Sequence, residues 1–173
     1  MIDAKIKINR ELLNRLKKIK SGTVEVGWHK DLRYDNGMPV HEVAKINEFG
    51  ATIKVTDKMR GWFLANGFPL KKTTQEIYIP ERSFIRATID EKKDVWSDLI
   101  NNCLKKVFSG ELSFEQALLT LGLKIKDDIQ IKISEIAADG GNSTMTIAMK
   151  GKDTPLINTG IMQESISVET EVK

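Results

Sequence analysis

The segment PVHEVAKINEFGA, residues 39–51, sets His41 and Glu42 four and three residues ahead of Lys45. A zinc-hydrolase helix needs two imidazoles one turn apart to grip one metal, with a glutamate beside them as general base. Lys45 stands where the second imidazole is required, and an ammonium has no lone pair to donate. The one other histidine is His29 and the single cysteine is Cys103, so any metal set would have to be assembled from distant residues. The pattern is better read as a helix that turns Val40, Val43 and Ala44 inward and His41, Glu42 and Lys45 outward.

Other candidate chemistry meets the same difficulty. Cys103 falls in the apolar stripe of a long helical pattern beside Leu99 and Val107, with no neighbouring cation or helix N-terminus to lower its pKa, and reads as a buried structural thiol. Asp90 with Glu91, and Asp127 with Asp128, are adjacent pairs, and neighbours on a helix diverge, so neither pair can share a proton. There is no Gly-x-Ser-x-Gly elbow. GKDTPLINTG lacks the Lys-Ser/Thr ending of a phosphate loop. The expectation is a protein that is not an enzyme and carries no cofactor or metal.

The best cluster for macromolecular contact is basic and aromatic: Lys54, Lys58, Arg60, Lys71 and Lys72, with Trp62, Phe63 and Phe68 between them. Such interleaving suits base stacking with phosphate contact. It also suits a protein interface, where aromatics and arginine concentrate. The net charge of only +3 from 27 basic and 24 acidic residues favours protein contact. A small nucleic-acid-binding module stays open as the alternative.

These residues need a scaffold, and 173 residues with 40% hydrophobic and 29% charged composition suit one globular domain spanning 1–173. The lone cysteine precludes an internal disulfide, MIDAKIKINREL lacks the apolar core of a signal peptide, and no run is long enough to span a bilayer. These features point to folding in a reducing cytoplasm without a membrane.

Ile2, Ile6 and Ile8 alternate as in a strand. Leu12, Leu13, Leu16 and Ile19 recur at helical spacing, and Gly22 stops that pattern. TVEVGWH reads as a strand, Asp35-Asn36-Gly37 as a turn, 39–49 as a helix stopped by Gly50, and ATIKVT as a strand. An inserted helix and loop span 57–75, the helix capped by Asp57 and ended by Gly67, and QEIYIP is a strand closed by Pro80. A long helix over 83–108 ends at Gly110. A second begins at the capping box Ser113-Phe114-Glu115-Gln116 and carries Leu118, Ile125, Ile129, Ile133 and Ile136 on one stripe. Residues 139–154, polar and glycine-bearing, read as a mobile loop, disordered in the monomer and ordered by a partner. PLINTGIMQESI reads as a short helix and SISVETEV as a closing strand. The fold expected is α+β: one small, mostly antiparallel sheet packed by two long helices, with short extra helices.

Three stretches in this order, VEVGWH…GMPVHEVAKINEFGATI, YIPERSFIRATID and MKGKDTPLINTGIMQESI, resemble the small tail-completion or head–tail joining proteins of tailed bacteriophages. The matching residues are Val43, Ala44, Ile46, Asn47, Glu48, Phe49 and Gly50; then Ile79, Pro80, Arg82, Phe84, Ile85 and Arg86; then Lys150, Gly151, Asp153, Pro155, Leu156, Ile157, Thr159 and Gly160. The resemblance runs from about Thr23 to the C-terminus, and its specificity lies in the three motifs together. Ser83 and Asn158 depart from the usual proline and aspartate. Residues 59–75 resemble a longer subgroup with an extra helix.

The resemblance implies a structural protein of the virion neck, assembled in the host cytoplasm. It implies a ring, commonly sixfold, around a channel for genomic DNA, in contact with neck and tail proteins such as the tail terminator, tail tube or stopper. Tail terminator and head-side stopper are alternative roles for the chain itself. The partner-facing candidates are Lys58, Arg60, Trp62, Phe63, Phe68, Arg82 and Arg86. Asn47, Glu48, Phe49, Gly50, Pro80, Phe84, Pro155, Thr159 and Gly160 are expected to build the joints. Gly50 supplies a left-handed helix stop, Asn47 anchors backbone, and Ile46 or Phe49 buries against the sheet. A carboxylate is disfavoured at the C-terminal end of its own helix, so Glu48 is expected to pair with Arg82 or Arg86. Those arginines, one turn apart on a helix, meet either an acidic patch of a neighbouring subunit or Glu48 and Asp90 within the chain. Thr159 is expected to cap a short helix with Gly160 in its first turn.

Overall fold

The computed structural model describes Asn14 and residues 21–173. The strand and helix expected over the first twenty positions lie outside the described residues. Within them the order is β1 (Gly22–Gly27), α1 (Val40–Phe49), β2 (Ala51–Lys54), α2 (Asp57–Ala65), β3 (Glu76–Ile79), α3 (Ile85–Ser109), α4 (Phe114–Asp139), α5 (Thr144–Lys150), α6 (Ile161–Glu164) and β4 (Ser167–Val172). This is the expected α+β class. Two antiparallel ribbons, β1–β4 and β2–β3, replace the single sheet. No helix among the described residues is long and apolar enough to cross a membrane.

The chain, read above as one domain, groups into two compact units, and the boundaries at 90/91 and 128/129 fall inside α3 and α4. The described part of the first unit comprises Asn14 and residues 21–27, 91–128 and 167–173. Here β1 and β4 pair in register from Gly22 opposite Val172 to Gly27 opposite Ser167. The ribbon sits against α4 at Gly122, where a Cβ would run into the side chains of Val24 and Val168. Cys103, Val107 and Ala117 form a buried cluster covered by Leu99, Ile100, Leu112 and Phe114, which places the thiol in the core as its apolar stripe required. The capping box forms as written. Gln116 N–H donates to Ser113 Oγ at 3.1 Å, and Ser113 N–H donates to Gln116 Oε1 at 2.9 Å. Buried Asp128 accepts from the indole of Trp96 at 2.8 Å and from Lys124 at 2.7 Å.

The second unit holds residues 28–90 and 129–166. Its buried side chains include Val40, Ala44, Phe84, Ile133, Met162 and Ile166. Trp28 meets Phe84 edge-on at 6.0 Å between ring centres and donates its indole N–H to the carbonyl of Met162 at 2.7 Å. The turn at Gly37 has φ +82°, and α1 begins at Val40 and stops at Gly50 as its sequence predicts.

Several local expectations are corrected here. Thr56, not Asp57, caps α2, its hydroxyl accepting from Met59 N–H at 3.2 Å, because the N-cap must precede the first helical residue. The stretch 139–154, expected as a loop, contains α5. Ser143 caps it by accepting from Thr146 N–H at 3.1 Å, and Gly151 closes it at φ +72°. The polar cap residues and glycines that suggested a loop are the two ends of a short helix. Of PLINTGIMQESI only Ile161–Glu164 is helical. Gly160, at φ +86°, occupies the N-cap position, and Thr159 Oγ1 accepts from Ile161 N–H at a long 3.4 Å. Pro155 of the same stretch is buried.

Candidate functional site: a helix joint and the groove beside it

Two of the three resembling segments meet at Glu48. This residue lies in the last turn of α1 yet is 1% exposed. Its Oε2 accepts from the backbone N–H of Phe84 and of Ile85, both at 2.8 Å. Its Oε1 accepts from Arg86 N–H, Arg86 Nε and Ser83 Oγ, each at 3.0 Å. The amides belong to the first turn of α3, where N–H groups have no partner inside the helix and the dipole is positive. The glutamate disfavoured at the end of its own helix therefore serves the start of the next. Burial pushes its carboxyl pKa up, but the amides of Ile85 and Arg86, the Arg86 guanidinium and the Ser83 hydroxyl together hold it below the ordinary value.

Arg86 closes the joint. Its Nη2 donates to the carbonyl of Glu48 and to Glu81 Oε1, both at 2.8 Å, and its guanidinium lies 4.6 Å from the centre of the Phe49 ring. Arg86 thus pairs within the chain, with Glu48 as expected and with Glu81 in place of Asp90. Phe49, expected as one of two possible buried anchors, is 58% exposed and takes the cation on its face, while Ile46 is the partly buried one. Arg82 is not on a helix with Arg86, because α3 begins only at Ile85. Instead Arg82 N–H donates to Asn47 O at 2.8 Å and its side chain donates to Gly141 O at 3.0 Å. Asn47 anchors its own helix by donating to Val43 O at 2.8 Å.

Gly50 lets the two segments approach. At φ +70°, ψ 169° it stops α1 not in the left-handed helical conformation expected but in an extended positive-φ region almost closed to other residues. A Cβ there would lie 2.9 Å from Glu81 N and 3.0 Å from Ile79 O. Pro80 follows directly as β3 ends. The third segment is tied in through Asp153. Its carboxylate accepts from the successive amides of Gly141 at 3.1 Å and Asn142 at 2.8 Å, beside the Arg82 contact. Those amides, Asn142 first, hold its pKa below the ordinary value.

An open groove of about 800 Å³ borders this joint, wholly within the second unit. The edge of β3 at Ile77 to Ile79, Phe63 of α2, and Met145 and Met149 of α5 line it. Among the described residues lining it, the only ionised side chains are Arg82 and Lys150. Sequence reasoning missed the methionines, because their helix was read as a loop.

The expected partner-facing cluster divides. Lys58 and Trp62 are exposed, Trp62 by 52%. Trp62 meets Phe63 edge-on at 5.1 Å. Arg60 is occupied: it donates to the carbonyls of Lys71 and Thr74 and thereby pins the 66–75 loop to α2. Phe68 is half-buried, its N–H bonded to Phe63 O at 2.9 Å. Lys54, Lys71 and Lys72 are exposed. His41 sits 3.6 Å from Glu42 and, expected to face outward, is half-buried, its Nδ1 enclosed. No group of three or more His, Cys, Asp or Glu side chains among the described residues could hold a metal. No protein-family model, curated protein or solved structure matches the chain.

Proposed function

We propose that this chain is a structural protein of the tailed-phage neck, completing the tail and joining it to the head as one subunit of a ring around the DNA channel. The observation that supports the reading is the use to which the motif residues are put. Glu48, Gly50, Pro80, Arg82, Phe84, Arg86 and Asp153 are taken up by caps, a backbone crossing, core packing and ion pairs. Residues held this way serve shape. A subunit that works by shape suits a closed assembly, in which each copy satisfies its interface twice.

Electron microscopy and native mass of the purified protein, alone and mixed with tails, test this. The expected result is a ring, about sixfold, seated on the end of the tail. A monomer that ignores tails and heads overturns it. Seating on the head alone points to a stopper. DNA binding that falls steeply with salt, without any ring, points to the nucleic-acid module.

A further inference from the structure

Among the described residues, the groove has an unpaired strand edge for one wall. Ile77, Tyr78 and Ile79 are consecutive in β3, so their side chains alternate between the faces of the ribbon. All three nevertheless line the groove, which means that it runs along the edge of the strand. Among the described residues, β3 pairs only with β2. The register sets Thr52 opposite Tyr78 and Lys54 opposite Glu76, and Val55 N–H donates to Gln75 O at 2.8 Å. Residues 55 and 75 are thus a hydrogen-bonded pair. Strict alternation along an antiparallel ladder then aims the N–H and C=O groups of Glu76 and Tyr78 away from β2. An edge of this kind is a template for one more strand.

The remaining wall says what such a strand should carry. Met145 and Met149 from α5 and Phe63 from α2 offer an adaptable apolar surface. Arg82 and Lys150 are the ionised groups in it, and Asp153, whose charge both feel, is already engaged by two backbone amides. Lys150 keeps one bond, to Thr154 O at 2.7 Å. Burial, then the charges of Lys152 and Arg82, depress its pKa, against the opposing charge of Asp153.

We propose that the groove is a peptide-binding site, taking an extended segment of a partner protein, apolar and acidic in composition, as an added strand on the outer edge of β3. Main-chain hydrogen bonds to Glu76 and Tyr78 supply register, the methionines accept apolar side chains, and Arg82 with Lys150 selects a carboxylate. The site is independent of the neck assignment.

The test uses the full chain and two displayed libraries of ten-residue peptides, one alternating apolar with Asp or Glu positions, the other apolar with Lys or Arg. The acidic library alone should yield binders, and such a peptide should slow amide exchange at Glu76 and Tyr78. Tyr78→Pro removes an outward N–H that β2 does not use, a position where an edge strand tolerates proline. It should weaken binding about fivefold to tenfold, the worth of one hydrogen bond, while Tyr78→Ala, which keeps the N–H, should retain most of it. No binder from either library, equal selection from both, exchange unchanged at Glu76 and Tyr78, or equal losses in the two variants with unaltered circular dichroism would each overturn the proposal.

Discussion

Glu48 shows how one side chain can serve two helices. Replacing it with glutamine keeps the size but removes the charge that faces the first turn of α3 and the Arg86 guanidinium. Glu48→Gln should lower unfolding free energy by about 2 kcal/mol at neutral pH, the scale of hydrogen bonds to a buried ion, as read by chemical denaturation. Gly50→Ala should cost at least as much, about 2 kcal/mol or more, because the alanine would carry both the backbone strain and the approach to Glu81 N and Ile79 O. Gly50 was legible in the sequence, since it follows the last residue of a helical pattern. That Glu48 would need a partner was legible too, because its own helix repels it. Ser83 and the amides of residues 84–86 as further partners were not, since nothing local states which helix start will arrive there.

At the scale of elements, the same substitution should have opposite signs in two helices. Gly61 in α2 faces open space, so Gly61→Ala should gain up to about 1 kcal/mol from helix propensity alone. Gly122 in α4 is crossed by β1 and β4, and an added Cβ would meet Val24 Cγ2 at 2.7 Å and press on Val168. Gly122→Ala should therefore destabilise by about 1 to 3 kcal/mol despite its better propensity. Thermal melts of the two variants check the pair, and a gain at both sites would mean that the ribbon does not lie on α4. Helix boundaries at Gly50, Gly110 and the Ser113 capping box were visible in advance because caps are local chemistry. The helix over 144–150 was missed because it is a single short segment, and glycines at both ends outweighed its one apolar turn.

For the whole molecule, both units bury a carboxylate whose pKa lies below the ordinary value. In the first unit burial raises the pKa of Asp128, but Lys124 and the Trp96 indole outweigh it. In the second, Glu48 is held down by the start of α3. Each group binds fewer protons folded than unfolded, so each adds stability above its unfolded pKa, about 4, that is lost as pH falls through the lower folded value. Melts from pH 6 to pH 2 should show stability falling steadily below about pH 4, and Glu48→Gln should make that fall shallower. A flat profile would contradict both assignments.

Local pattern was enough to set the α+β class, the two long helices, the turn at Gly37 and the burial of Val40, Ala44, Phe84 and Cys103, because periodicity, caps and glycine conformations act within a few residues of themselves. It could not say that the strands would form two ribbons, that Arg86 would fold back over Phe49, or that α5 would face the open edge of β3. Those outcomes depend on contacts between segments tens of residues apart. Such contacts form only when packing selects among partners that the local sequence leaves equivalent.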